Sequence, residues 1–559
     1  MKETESAEPT RETLLQPFMK NHERSAHWAQ HPRHKVFEAG AADPYRRIGI
    51  VGGGTAGFLA ALALREKFPH LEVTLIESSD IPIIGVGEAT TPHIVPFLHK
   101  FCGINVHEFY QKVRPTWKMG IRFEWGPPEI SHFNAPFDWE INDVGALGSL
   151  QYDGNINSMT LGSVFMEQKA TPVLMRGGRC TSLLPDVSFA YHLENRRLVK
   201  YLHEVANAKG VKHLDRKITD VVVTADGQEI DHLVTNQGEK LSFDLYIDCT
   251  GFRSLLLEKA LKSPFISFGS TLFTDRALTF NSPHDGIIKP YTTATTMNSG
   301  WTWTIPHEER DNQGYVFCSA FCTPEEAERE VRARWPRMNE VSDVVHFRSG
   351  RHEDCWKGNV VAIGNAHGFV EPLESTGLFM ICVTIQKLLA LFPQSKSDTS
   401  SKTLFNSFVA TRWDGLRWFL GIHFKFNRKL DTPYWKEVRA KADISGGEYL
   451  VRAFQERGPL LHRPNEVLQL IKDSSNLSIF FGVEGWDCIL LGNGVHSNLY
   501  DVSEPRETWQ RRKQAALDIT SQSVSHARAL ELCREHPELL DEVNGPRAWP
   551  RRDFPGAAM

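Results

Sequence analysis

The sequence predicts a mixed α/β protein with a Rossmann-like nucleotide-binding core, a β-sheet insertion and a mostly helical C-terminal region. Three observations predict this class. An apolar strand, a glycine-rich turn and a helix follow one another at residues 47–67. Two later apolar strands, within 242–254 and 358–372, also end in glycine-containing turns. From about residue 404 the pattern is mostly helical and rich in aromatic residues, which favours buried helices.

The first element is a strand–turn–helix–strand unit. Residues 48–51 are apolar and β-branched around one glycine, and residues 56–67 are rich in helix formers. Glycines in the turn between them allow a sharp bend and let a pyrophosphate approach the helix N-terminus. The turn residues expected to contact a dinucleotide are Gly52, Gly54, Thr55, Ala56 and Gly57. A tight turn without a ligand is the alternative.

Glu77 is the second signal for a dinucleotide. It lies near the end of the strand at 71–78, 20 residues after Gly57, where a carboxylate can accept hydrogen bonds from ribose hydroxyls. Its charge would repel the 2′-phosphate of NADP, which leaves FAD and NAD. The late strands, which lead to Gly251 and Gly364, favour FAD, because many FAD enzymes of the hydroxylase type return such strands to the first nucleotide fold.

The remaining elements follow in chain order. Helical apolar spacing at 193–210 predicts a helix, and alternation with turn signals at 212–245 predicts β-hairpins. One amphipathic helix is predicted over 507–536. The expected regions are an N-terminal extension (1–44), an FAD-binding core with an interleaved β-sheet substrate part (45–400), a helical substrate-side region (401–505), and a C-terminal helix with a loose tail (506–559).

Composition disfavours several classes of protein. The 559 residues are 41% apolar and 23% charged, as in an ordinary globular chain. The 63 Lys and Arg against 68 Asp and Glu give no basic surplus, so no nucleic-acid partner is expected. No apolar run is long enough to span a bilayer and no signal peptide is recognisable, so we expect a cytoplasmic protein without a membrane partner. Nine scattered cysteines indicate reduced thiols, and no metal site is predicted.

Five short motifs are more specific than a nucleotide fold. They are GGGTAG at 52–57, GVGEATTP at 85–92, W-x-W-x-I-P at 301–306, E-P-L-E-S-T-G at 371–377 and D-T-P-Y-W at 431–435. Together they resemble the flavin-dependent halogenases of the tryptophan-halogenase type, from about residue 45 to about residue 495. The resemblance implies an FAD-binding, Rossmann-like flavoprotein fold of the GR2 type.

The resemblance also implies a reaction. FADH2 from a separate flavin reductase, O2 and chloride or bromide would halogenate an electron-rich aromatic ring. In the family, hypohalous acid made beside the flavin passes through an internal tunnel to a lysine, which hydrogen-bonds it or becomes a haloamine. Whether this chain forms a homodimer stays open.

Lys118 is the residue that the resemblance places at the end of the tunnel. It lies in an apolar segment between Trp117 and Met119. Burial disfavours an ammonium and lowers its pKa, which would give a neutral amine or a strong hydrogen-bond donor. Without the resemblance, the favoured interpretation is a lysine on an amphipathic strand whose charge reaches water.

Glu374 corresponds to the family's catalytic glutamate. A carboxylate beside a ring under attack stabilises the cationic intermediate and can take the departing proton. An acid near a helix N-terminus is the alternative, because an apolar run begins at Leu378, and both interpretations can hold together. The resemblance places the halide on the backbone amides of Thr376 and Gly377, at a helix start that suits an anion.

Further residues are assigned to the flavin and the tunnel by the resemblance. Trp301 and Trp303 would lie near both, where bulky rings can shield the oxidant from water. Ordinary core packing explains the two tryptophans equally well. Residues 77–88 resemble the mobile strap over the flavin. Additional flavin contacts are expected at Gly87, Ala89, Gly364 and Ser375.

The substrate region departs from family members that act on free tryptophan. Those members hold the amino-acid charges with tyrosines, a glutamate and a Phe-Trp pair. Here Phe480 and Phe481 replace that pair, and Asn476 stands at the glutamate position. Because an unpaired zwitterion is costly to bury, we expect an indole or a tryptophan side chain within a peptide or larger substrate, with a phenol as a further alternative. Phe137 is expected to stack on the ring.

Two other functions stay open on the sequence. A flavin-dependent aromatic monooxygenase would hydroxylate its substrate without halide, and the W-x-W-x-I-P motif argues against it. A non-catalytic flavin-binding protein is a third class. The presence of both Lys118 and Glu374 in matching contexts argues against that class.

Overall fold

The fold is described from a computed structural model of the chain. The structure describes residues 43–81, 87–137, 143–460, 481–498 and 504–544. The N-terminal extension up to residue 42 and the tail from residue 545 therefore lie outside the described residues. The same is true of Asn476, Phe480 and residues 82–86 of the predicted strap.

The described strands and helices are numbered in chain order. The first strands are β1 (Arg47–Val51), β2 (Glu72–Glu77), β3 (Gly87–Ala89), β4 (Thr116–Lys118), β5 (Gly120–Glu124), β6 (Phe133–Pro136), β7 (Val173–Arg176), β8 (Arg179–Ser182), β9 (Ala190–Glu194), β10 (Lys212–Asp215), β11 (Ile218–Val223) and β12 (Ile230–Thr235). The later strands are β13 (Lys240–Leu241), β14 (Leu245–Asp248), β15 (Phe265–Ser267), β16 (Arg276–Ser282), β17 (Thr292–Met297), β18 (Gly300–Pro306), β19 (Asp311–Phe317), β20 (Val345–His346), β21 (Gly350–His352), β22 (Trp356–Lys357), β23 (Val360–Ala362) and β24 (Gly368–Phe369). The α-helices are α1 (Thr55–Lys67), α2 (Ile94–Pro96), α3 (Val106–Lys112), α4 (Asp143–Asp153), α5 (Leu161–Gln168), α6 (Asn195–Ala208), α7 (Pro324–Arg334), α8 (Thr376–Ala390), α9 (Thr399–Phe426), α10 (Pro433–Lys441), α11 (Glu448–Arg457), α12 (Gly482–Gly492), α13 (Arg506–Thr520) and α14 (His526–Glu535).

A six-stranded sheet in the order β10-β2-β1-β14-β23-β22 forms the nucleotide-binding part of the fold. All its pairs are parallel except β22 with β23. The mixed α/β prediction is confirmed, and the late strands join the sheet of the first strand, with β14 beside β1 and β23 beside β14. Their apolar residues are buried on both faces, as expected for parallel strands covered by helices.

One part of the hairpin prediction is wrong. Strand β10 pairs parallel with β2, so that Asp215 lies beside Glu77, instead of forming a hairpin with β11. The helix α6 runs between β9 and β10, and a strand that follows a crossover helix can join a sheet in parallel. Strands β11, β12 and β13 do form an antiparallel sheet.

A seven-stranded sheet in the order β20-β16-β19-β18-β17-β5-β6 forms the interleaved β part. Its strands β17, β18 and β19 are buried along their whole length. A smaller sheet, β3-β9-β4, ends at Lys118. Only Met119 separates β4 from β5, so Lys118 sits where the chain passes from the small sheet into the large one.

Two long helices, α8 and α9, carry much of the apolar core beside these sheets. Asp398 caps α9 by accepting a hydrogen bond from the backbone N–H of Ser401. Among the described helices, none combines the length and the apolar character needed to cross a membrane. All nine cysteines are free thiols.

The single C-terminal helix predicted over 507–536 is wrong. The structure has two helices, α13 and α14, separated by residues 521–525. The intervening backbone bonds to β7, with Met175 N–H donating to Gln522 and Val524 N–H donating to Val173. Ser525 then caps α14 through the N–H of Arg528. These partners satisfy backbone groups that a continuous helix would have used internally.

Candidate active site

The turns that follow β1 and β23 meet at the carboxyl edge of the parallel sheet. Gly52 has a φ of 116°, and Gly364 has a φ of 69°, both in the region that favours glycine. A Cβ added to Gly57 would overlap the carbonyl oxygen of Gly52, so this helix-to-strand contact requires glycine. A Cβ on Gly364 would lie 3.4 Å from that of Ala56, so the two turns are in contact. Open α/β sheets bind ligands at this edge.

The start of α1 leaves room for a ligand. Gly54 is the N-cap residue, and a Cβ added there would meet no atom within 4 Å. The hydroxyl of Thr55 donates to Asn195 Oδ1 at 2.8 Å, so its side chain is used by the fold while backbone N–H groups point out of the helix end. The open space and the free amides fit the pyrophosphate of FAD.

Glu77 ends β2 with its carboxylate against Gly53. A Cβ on Gly53 would overlap the Glu77 carboxylate, which explains the middle glycine of the motif. The other carboxylate oxygen, Oε1, lies 2.8 Å from Nε2 of His213 on the neighbouring strand β10. The acid is therefore held at the sheet edge, where the ribose hydroxyls of FAD would be expected.

Gly87 and Ala89 lie in β3, opposite β9. A Cβ on Gly87 would overlap the side chains of His307 and Asn312, so β3 packs closely against the end of β18 and the start of β19. The last residues of the predicted strap at 77–88 therefore contact the sheet that carries the two tryptophans.

Lys118 is fully buried at the end of β4. Its Nζ donates to the carbonyl oxygen of Thr90 at 2.9 Å and to Oγ of Ser375 at 2.7 Å. The Phe137 ring centroid lies 5.2 Å from Nζ. Burial lowers the pKa of the Lys118 ammonium to about 7, and the nearby Glu374 carboxylate opposes this shift only in part. The interpretation of a lysine whose charge reaches water does not fit this geometry.

Ser375 is the N-cap residue of α8 and has a left-handed backbone, with a φ of 58°. This conformation costs a non-glycine residue about 1 kcal/mol, and it brings the hydroxyl to Lys118. Thr376 and Gly377 form the first turn of the helix. Gly377 is exposed and a Cβ added there would meet no atom within 4 Å, so the chain leaves open space beside Gly377, whereas Thr376 is buried.

Glu374 is buried immediately before that helix. Its Oε1 lies 2.6 Å from Nε2 of His423, which is fully buried in α9. Nδ1 of the same ring lies 2.9 Å from the carbonyl oxygen of Phe419. A carboxylate and an imidazole are therefore fixed side by side next to the lysine site.

Trp301 and Trp303 lie in β18 with their ring centroids 6.1 Å apart. The indole N–H of Trp301 donates to Oε2 of Glu371 at 2.6 Å, and the hydroxyl of Thr274 donates to Oε1 of the same carboxylate. Burial raises the pKa of Glu371 to about 7, against the effect of the two donors. The W-x-W-x-I-P motif is thereby joined to the E-P-L-E-S-T-G motif.

The predicted substrate residues fall near the same place. Phe137 lies beside Lys118, and its backbone N–H donates to Met119. The ring of Phe481 lies 5.1 Å from that of Phe419, which neighbours His423. Phe480 lies outside the described residues.

The sequence assigns no individual role to two residues of this arrangement, His423 and Glu371. His423 lies within an aromatic helical run that the sequence explains as core, so only its polarity distinguishes it. Glu371 belongs to a recognised motif, but nothing local shows that its partner is Trp301, 70 residues away. Both were missed because their partners are distant in the chain.

The fold combines a Rossmann-like sheet, whose glycine turns fit FAD, with a buried lysine and a buried glutamate, as in a flavin-dependent enzyme. Comparisons with known proteins give the family. The model of the family described as tryptophan halogenase matches residues 47–504. The chain belongs to the tryptophan halogenase family and is a flavin-dependent halogenase.

Several relatives cover most of the chain. Tryptophan 7-halogenase RebH of Lentzea aerocolonigenes is 33% identical over 487 residues, covering 82% of this chain and 91% of RebH. The 7-chloro-L-tryptophan 6-halogenase KtzR of Kutzneria sp. (strain 744) is 36% identical, covering 73% and 85%. The crystal structure of MibH, a lanthipeptide tryptophan 5-halogenase, is 48% identical with a TM-score of 0.86, covering 91% of this chain and 97% of MibH.

Proposed function

We propose that this enzyme uses FADH2, O2 and chloride or bromide to halogenate an electron-rich aromatic ring, through hypohalous acid delivered to Lys118. The observation that carries the proposal is the buried Lys118 amine, whose pKa lies near 7 and which contacts the residue directly after Glu374. An enclosed amine beside a carboxylate is suited to receive an oxidant and pass a halogen to a ring.

The flavin edge would be formed by the turn after β1, by Glu77 and by the turn at Gly364. When bound and reduced, FAD would supply the chemistry that forms hypohalous acid from O2 and halide. The amides of Thr376 and Gly377 would hold the halide, because a helix N-terminus presents unpaired N–H groups and a partial positive charge. The rings of Trp301 and Trp303 would keep water from the oxidant.

Lys118 can act in either protonation state. In the ammonium form, Thr90 and Ser375 occupy two of its three N–H groups, and the third can donate to hypohalous acid. In the amine form, both N–H groups donate hydrogen bonds and the lone pair can attack the halogen of hypohalous acid. The halogen–oxygen bond then breaks, and hydroxide leaves with one proton from the nitrogen as water, which gives the haloamine. The pKa near 7 makes both forms accessible at neutral pH.

Glu374 would act on the substrate ring. Attack of the ring on the halogen leaves a cationic intermediate, which a nearby carboxyl group stabilises. Loss of the ring proton to Glu374 then restores aromaticity. Phe137 and Phe481 would form part of the wall that holds the ring.

The proposed substrate is a tryptophan side chain in a peptide or larger molecule, or an indole, in preference to free tryptophan. Support comes from the similarity to MibH, whose described substrate is a lanthipeptide tryptophan. The residues that replace the Phe-Trp pair and the glutamate of free-tryptophan enzymes point the same way. We further propose a separate flavin reductase as partner and a cytoplasmic location. A homodimer stays a prediction, which sedimentation velocity would test.

Lys118→Ala tests the role of the lysine. Halogenation should fall by about 100-fold or more, because the delivery group is removed. Consumption of O2 by the FADH2-loaded enzyme should be unchanged. Lys112→Ala is the matched control, since Lys112 is exposed and paired with Glu108 and Glu204. An unchanged halogenation rate in Lys118→Ala would contradict the assignment.

A substrate panel tests the substrate class. Free tryptophan, indole and a tryptophan-containing peptide would be given to the enzyme with a flavin reductase, and product masses compared in chloride and in bromide. We expect halogenated peptide as the dominant product. Preference for free tryptophan would overturn the substrate proposal, and hydroxylated product without halide would overturn the proposed reaction.

A further inference from the structure

The Glu374–His423 pair holds a proton that the proposed reaction has not yet used. His423 and Glu374 are 49 residues apart, yet Nε2 and Oε1 lie 2.6 Å from each other in a site closed to solvent. A nitrogen and a carboxyl oxygen at this distance need a proton between them, because two lone pairs would repel.

The hydrogen bond of the other ring nitrogen of His423 locates one of the protons. Nδ1 lies 2.9 Å from the carbonyl oxygen of Phe419, four residues earlier in α9. A carbonyl oxygen only accepts, so Nδ1 must carry a proton. The proton between His423 and Glu374 is therefore a second proton, in addition to the one on Nδ1, and it is held on Nε2 or on Oε1. The pair has no net charge in either arrangement.

We infer that His423 is the proton partner of Glu374 in the deprotonation of the halogenated ring. This inference rests on the proposed function. When the ring C–H bond breaks, its electron pair returns to the ring and Oε2 of Glu374 takes the proton. The proton shared with Oε1 moves fully to Nε2. Glu374 ends as a neutral acid and His423 as an imidazolium, so one proton has been gained by the pair and one lost by the ring.

The surroundings of His423 suit a transient cation. The ring centroids of Phe123 and Phe419 lie 5.4 Å and 5.0 Å from the imidazole, and Trp125 is also in contact. Aromatic rings at this distance can attract a cation that has no water around it. The proton transfer moves the positive charge from the ring carbon to the imidazole of His423.

His423 is a positioning residue, because it acts through Glu374 and contacts it directly. The test variant is His423→Gln, whose amide can keep a hydrogen bond to Glu374 but cannot take a proton. His536→Gln is the matched control, since His536 is exposed on the C-terminal side. The probes are indole and N-acetyl-tryptophan amide, each with protons or deuterium on the ring, in single turnovers with bromide.

The isotope effect separates the relay from a structural role. The wild-type enzyme should halogenate both isotopic forms at nearly the same rate. In His423→Gln the rate should fall about 10-fold or more, and a substrate isotope effect above about 2 should emerge because deprotonation becomes slow. A variant that loses rate equally for both forms would overturn the inference, as would one with unchanged rate.

Proton NMR tests the pair without any substrate. The wild-type protein should show a strongly deshielded histidine proton, and this signal should be absent from both His423→Gln and Glu374→Gln. Persistence of the signal in either variant would overturn the shared proton. Failure of the wild-type enzyme to halogenate any probe would count against the proposed function, while the NMR result would still decide whether the pair exists.

Discussion

The burial of Lys118 couples the stability of the protein to pH. The pKa of this amine falls from 10.5 to about 7 on folding because an ammonium is poorly solvated in the interior. Between these two values the unfolded chain binds more protons than the folded one, so the contribution of Lys118 to stability rises with pH. Below pH 7 both states are protonated and the penalty is constant.

Lys118→Met tests this coupling because it keeps the length of the side chain without the amine. From pH 7 to pH 9, the free energy of unfolding of the wild-type protein should increase relative to the variant by about 1 kcal/mol per pH unit. Urea unfolding at several pH values measures the difference. Parallel pH profiles for the two proteins would show that the amine titrates normally.

Two glycines of the nucleotide turn give opposite predictions. Gly57→Ala should destabilise the fold and abolish FAD binding, because the new Cβ overlaps the Gly52 carbonyl. Gly54→Ala should fold like the wild-type protein, since its Cβ meets no protein atom within 4 Å. It should bind FAD at least about 10-fold more weakly, because the cofactor is expected to fill that space.

Circular dichroism and titration of flavin fluorescence separate the two effects. Equal FAD affinity in Gly54→Ala and the wild-type protein would place the pyrophosphate elsewhere.

At the scale of elements, a buried hydrogen bond from Trp301 to Glu371 connects strand β18 to the segment before α8. Trp301→Phe removes the indole donor from Glu371 and leaves a carboxylate oxygen buried without it. We expect a loss of about 1–3 kcal/mol in the free energy of unfolding. Trp303→Phe is the control, because the indole of Trp303 donates to no carboxylate in the described part of the chain. Guanidinium unfolding that shows equal losses in both variants would contradict this account.

Helix α14 supports the strand that ends at Lys118. His526 Nε2 accepts a hydrogen bond from the backbone N–H of Trp117 at 3.0 Å, and its ring stacks on the indole at an interplanar angle of 6°. His526→Ala should lower the free energy of unfolding by about 1–3 kcal/mol and reduce halogenation, because β4 loses its fixed position. His536→Ala, exposed at the end of the same helix, should change neither quantity in unfolding and activity assays.

At the scale of the whole molecule, the sequence was informative wherever the signal was local. The glycine turn, the spaced acid and the two late strands predicted the parallel sheet, because strand patterns and turn chemistry are written within a few residues. The parallel strand β10 and the break between α13 and α14 were missed, since each depends on partners far away in the chain.

The same distinction between local and long-range signals applies to the candidate site. Lys118 and Glu374 were predicted from motifs, whereas the contacts that define their chemistry were not. Lys118 and Ser375 are 257 residues apart, and Glu374 and His423 are 49 residues apart. Burial, and with it the pKa of the lysine, is a property of the assembled core and has no local signal in an apolar strand.

The segment 371–377 is held at three points: Glu371 by Trp301, Glu374 by His423, and Ser375 by Lys118. Because the three contacts fall within seven consecutive residues, we expect a change at one of them to affect the other two. Directed evolution that aims to change the regiochemistry should therefore keep residues 371–377 unchanged. Phe137 contacts Lys118 and Phe481 contacts Phe419, and we expect substitutions at these two positions to change the orientation of an incoming ring.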